Sequence, residues 1–82
     1  MDPEKESLEY RIAKIQIKLI LIKKQIDEVQ HMRDELKRRI ERWPEFKDFV
    51  SDALRNVDER LERLELVVLE NQVLMEHYQT KL

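Results

Sequence analysis

From Leu8 onward, apolar residues return at alternating steps of four and three, the spacing that keeps one stripe of an α-helix turned toward a partner helix. Leu8, Ile12, Ile15, Leu19, Ile22, Ile26, Val29, Leu36 and Ile40 fall on one such seam, and Trp43 extends it. With Leu8 taken as a d position and Ile12 as an a position of a heptad, the same frame selects Val50, Leu54, Val57, Leu61, Leu64, Val68, Met75, Tyr78 and Leu82 farther along. Only Arg33, Lys47 and Asn71 interrupt it. A repeat of 3.5 residues held over about ten heptads predicts a coiled coil.

Pro44 is the one local conflict, because it has no N–H to give, clashes with the preceding turn and pushes Trp43 out of helical geometry. The flanking charges agree with a break: Lys37, Arg38, Arg39 and Arg42 suit a helix C-terminus, while Glu45 and Asp48 suit the start of the next helix. At the other end, Asp2-Pro3-Glu4 is a favourable helix start. The predicted fold is therefore all-α, a single coiled-coil unit over residues 1–82, with helix 1 at about 3–42, a turn at about 43–46 and helix 2 at about 45–80.

Two architectures share this pattern, an antiparallel helical hairpin that oligomerises, most simply into a four-helix bundle, and a kinked parallel coiled coil. The frame that continues across Pro44 favours the rod. Charge favours the hairpin: residues 1–43 carry 11 basic and 9 acidic side chains, residues 44–82 carry 5 and 9, so the halves attract. Folding back near Trp43 to Phe46 would set Ile22 by Val68, Ile15 by Met75 and Leu36 by Leu54, core against core, with Lys23 near Glu65 and Gln30 near Asp58 on the flanks. The hairpin is the expected form.

A second set of apolar residues lies off the seam. Ile17, Ile20 and Leu21 in the first helix, and Leu66, Val67, Leu69, Val73 and Leu74 in the second, would reach the same height in a hairpin and form a band that two helices cannot bury. These eight are the expected oligomer interface. Arg33 and Asn71, polar residues at a and d positions, are candidate register determinants, with a snorkelling arginine and a locally satisfied amide as the plainer alternatives. Trp43, Pro44 and Phe46, with Phe49 nearby, define the turn, where aromatics are expected to plug the end of the bundle.

Composition narrows the function. The 82 residues contain no Gly and no Cys, and 41% are charged, so glycine phosphate loops, thiolate nucleophiles and zinc knuckles are excluded. His31 and His77 fall at outward f and c positions at different heights, which makes no metal pair. The carboxylates, Asp58, Glu59 and Glu62 among them, have the spacing of solvated helix faces with no loop to form a pocket around them. No catalytic residue, cofactor or metal is expected, and the protein is not expected to be an enzyme. The basic run 37–42 is interleaved with Glu41, flanked by Asp34 and Glu35, and set in a chain of net charge −2, so nucleic acid is not the expected partner.

The longest apolar run, Leu19 to Ile22, is far short of the roughly 18 to 20 residues of a membrane span, and Met1 to Glu9 lacks the basic start and apolar centre of a signal peptide. A soluble intracellular protein is expected. Lys81-Leu82 ends the heptad pattern without a capping signal, as a piece of a longer chain would. The functional expectation is a structural oligomerisation module that pairs with itself, a dimer of hairpins being the simplest form. The alternatives are an adaptor subunit completed by a helical segment of another protein and, more remotely, a coiled coil binding nucleic acid through 37–42.

Overall fold

The computed structural model describes residues 3–82. Helix α1 spans Pro3–Arg42 and helix α2 spans Lys47–Gln79, and a short 3-10 turn, Pro44–Phe46, joins them. The Asp2 start signal lies outside the described residues. The chain folds back on itself as an antiparallel hairpin 65 Å long and only 14 by 13 Å in cross-section. The kinked parallel rod is thereby set aside.

The break follows from Pro44. Trp43 still donates its N–H to the Arg39 carbonyl at 2.8 Å, but its φ of −131° and ψ of 78° lie outside the helix, as the ring of a following proline requires. Phe46 N–H then reaches back to the Trp43 carbonyl at 3.1 Å and Lys47 N–H to that of Pro44, so the turn closes in a tighter spiral. This corrects the expected start of helix 2. Glu45 and Phe46 belong to the 3-10 turn, and regular α-helix begins at Lys47. At the far end, the Thr80 N–H bonds the Glu76 carbonyl and its Oγ donates to His77, while Lys81 and Leu82 wind on by single turns.

The seam is the core. Ile12, Ile15, Leu19, Ile22 and Val29 of α1 are buried, as are Val50, Val57 and Leu61 of α2. Leu8, Ile26, Leu36 and Ile40, with Leu54, Leu64, Val68, Met75 and Tyr78, are half-buried along the same line. The best-sealed segment gathers Val29, Val57 and Leu61, with Ile26, Leu36 and Leu64 against them. Two side-chain contacts between the helices show that the register holds along the rod: Arg33 meets Asp58 toward the turn, and Arg11 lies over the Tyr78 ring near the open end.

Gln16 and Gln72 occupy e positions at matching heights, on the flank where antiparallel helices bring e residues together. With Gln16→Cys and Gln72→Cys in one chain, a short bis-maleimide is expected to produce a monomeric crosslinked species on denaturing gels at high dilution. Products that are exclusively dimeric would contradict the folded-back register.

Candidate interaction surface

Two helices offer each other one seam, and most large apolar residues outside the a and d positions are left for something else to cover. Ile17, Ile20 and Leu21 on α1, and Leu66, Leu69, Val73 and Leu74 on α2, are between 41% and 68% exposed. Val67, at a g position beside the seam, is half-buried. All eight sit in the half of the rod farthest from the turn.

They do not form one uniform stripe. Around a helix the order a, e, b, f, c, g, d places b with the e flank and c with the g flank. Leu21 (c) and Leu74 (g) accordingly share the g flank, and Ile17 (f) borders it. The structure brings these three together in an open groove of about 520 Å³ whose floor is Ile15, Asn71 and Tyr78 from the seam. Ile20 and Leu69, both at b, belong to the opposite flank, while Leu66 and Val73, at f, occupy the back of α2.

The α1 bank of the groove is cationic. Arg11, Lys14 and Lys18 line it, and no carboxylate does. This reflects a local charge segregation sharper than the difference between the two halves. Residues 10–26 contain five Lys or Arg and no acid, and residues 64–80, which lie beside them, contain three Glu and neither Lys nor Arg. Among the described residues, none of these eight charges joins an ion pair inside the hairpin. Arg11 lies 5.6 Å from the centre of the Tyr78 ring and Lys14 lies 5.5 Å from that of Tyr10, cation–π contacts of modest strength at the surface. The acid-free run 10–26 was the sequence signal for this bank; the groove itself arises only once the helices are set side by side.

Arg33 and Asn71, the polar seam residues with buried polar atoms, are accommodated in different ways. Arg33 threads its stem along the core and sets Nε 2.8 Å from Asp58 Oδ1. Its N–H is not aligned on the carboxylate, so the contact is a charge pair and not a directed hydrogen bond. With the two side chains 39% and 50% exposed, it is worth less than about 1 kcal/mol. Asp58 thus takes Arg33 as its partner instead of lying by Gln30 alone, because the long arginine reaches across from the seam. Lys23 and Glu65 form no ion pair.

Around the turn, Trp43, Phe46 and Phe49 are 42%, 54% and 81% exposed. Within one hairpin they stay open to solvent, since two helices leave no enclosed end to fill. The Arg42 guanidinium instead stacks 4.9 Å from the Trp43 ring centre. A shallow hollow beside it, lined by Glu35, Arg38, Arg39, Arg42 and Trp43, mixes an acid with the basic run. His31 lies 3.8 Å from Glu35, and His77 tilts against Tyr78 at the other end of the rod. Among the described residues no three His, Cys, Asp or Glu side chains converge as metal ligands, and no helix is long and apolar enough to cross a membrane.

Asn71 is buried, yet its Nδ2 donates to the Val67 carbonyl one turn back at 2.7 Å and makes no bond across to α1. Its amide therefore satisfies itself locally while costing the seam an aliphatic contact. Asn71→Leu is expected to raise the melting temperature, with a gain of about 1 kcal/mol; a lower melting temperature would show that the amide carries stability there. No family model, curated protein or solved structure matches this chain.

Proposed function

We propose that this protein is a non-catalytic assembly module, a helical hairpin that associates with a second copy of itself through the apolar band at its open end. One observation carries the reading. The seam already holds an apolar line interrupted only by Arg33, Lys47 and Asn71, and Ile17, Ile20, Leu21, Leu66, Leu69, Val73 and Leu74 nevertheless remain exposed at one end. Isolated exposed leucines are ordinary, but a concentration of this size marks a surface that is covered in the working state. Two hairpins joined there give a four-helix bundle, in which each helix gains a second apolar neighbour. Ile residues at both a and d positions in α1 agree with more than two helices around a common core.

The adaptor reading uses the same band with a foreign helix. Sedimentation velocity over a dilution series separates the two, and the self-assembling hairpin is expected to sediment as a compact dimer. A folded monomer at all concentrations would remove self-association and leave the band to another protein. Leu21→Glu with Leu74→Glu, both on the groove and off the seam, is expected to halve the mass while leaving helicity largely intact. An unchanged mass would show that this surface is not the contact.

A further inference from the structure

We infer that the second copy docks on the groove flank with its two-fold axis along the length of the hairpin, so that α1 of each copy lies against α2 of the other and both turns project from the same end. The inference rests on self-association of the hairpin and goes beyond it by fixing which faces meet and in which direction. Three independent features lead there.

The first is the choice of flank. The g and c positions that border the groove present Leu21, Val67 and Leu74, with Ile17 adjoining at f. The opposite flank offers Ile20 and Leu69 among Gln16, Lys23, Glu65 and Gln72. Apolar burial therefore favours the groove side.

The second is charge. When two copies of a surface meet face to face, the two-fold axis lies in the plane between them. If it runs across the rod at the height of the band, α1 lies on α1 and the cationic bank of Arg11, Lys14 and Lys18 meets its own copy, a like-charge contact without a nearby acid. If it runs along the rod, that bank meets the 64–80 stretch of the other copy, which has no Lys or Arg. Glu70 is on the groove flank of that stretch, and Glu65 and Glu76 behind it add to the same field. Because Arg11, Lys14, Lys18 and Glu70 make no ion pairs within one hairpin, they are available to the second copy.

The third is height. The band lies toward the open end, opposite the turn, in a rod 65 Å long. An axis along the rod preserves height, so the α1 and α2 patches of both copies meet without sliding and the hairpins overlap over their full length. A crosswise axis brings the patches together only if the rods slip, with each turn half left unpartnered.

The test places one spin label at Glu45→Cys, an exposed turn position in the intact chain, and measures the distance between labels in the dimer. With helices packed roughly 10 Å apart, the lengthwise axis sets the two labels within about 30 Å of each other. A separation comparable to or longer than the 65 Å rod would overturn this arrangement while leaving self-association standing. A species larger than a dimer by sedimentation would do the same. A helical monomer with no dipolar coupling would overturn both the arrangement and the self-association it rests on. As a second measurement, Lys14→Glu with Lys18→Glu is expected to weaken the dimer at least tenfold in dissociation constant at low salt, and adding Glu70→Lys to the same chain is expected to recover much of that loss. Tighter association of the Lys14→Glu, Lys18→Glu chain would contradict the facing of α1 by α2.

Discussion

A core only one side chain deep governs this molecule. With a cross-section of 14 by 13 Å, the hairpin has no interior apart from the line along which its helices touch, and its best-sealed side chain, Val29, is still 3% exposed. Each buried aliphatic residue on that line contributes about 1.5 to 3 kcal/mol, and helices of 40 and 33 residues draw most of their stability from such packing. The consequences follow from the shortage. Asn71 on the line must look after its own hydrogen bond, Arg33 must send its charge out to Asp58, and most large apolar residues beyond the a and d positions end up outside.

The direction of the chain depends on a few atoms at the turn. Pro44 denies the helix a donor and forces Trp43 into extended geometry, after which two short backbone bonds are enough to reverse the chain. The reversal then sets the acid-free stretch of α1 alongside the base-free stretch of α2. Charge and topology support one another here, although no individual ion pair between those stretches is formed, because a broad field of exposed charges acts without fixed partners.

The seam was legible because a 3.5-residue repeat admits one frame, and apart from Trp43 the apolar residues of that frame from Leu8 to Tyr78 are buried or half-buried, while Lys47 at an a position is exposed. Trp43, at its end, was not, because the heptad count ignores the distortion that a following proline imposes. Helix 2 begins two residues later than its charge signals indicated for the same reason: Glu45 suits a helix start electrostatically, while the proline turn holds it in a tighter spiral. The off-seam residues could be read as exposed, but their division between two flanks depends on helix rotation across the pair. Ile17, Leu21 and Leu74 meet in one groove, and Ile20 and Leu69 face away, a distinction invisible in a plain tally of hydrophobic positions. The cationic bank was written in residues 10–26 all along, but averaged away when charge was counted over the whole half.

Trp43 is the only tryptophan in the chain, and it stands at the tip of the rod, partly in water, beneath the Arg42 guanidinium. The intrinsic fluorescence of this protein therefore reports on its turn and is nearly blind to the aliphatic seam. The far-ultraviolet ellipticity, by contrast, averages over both helices. Comparing the two signals during thermal melting measures how far cooperativity extends along the rod: coincident curves mean that tip and open end come apart together, and an early fluorescence transition means that the hairpin opens first where the chain reverses.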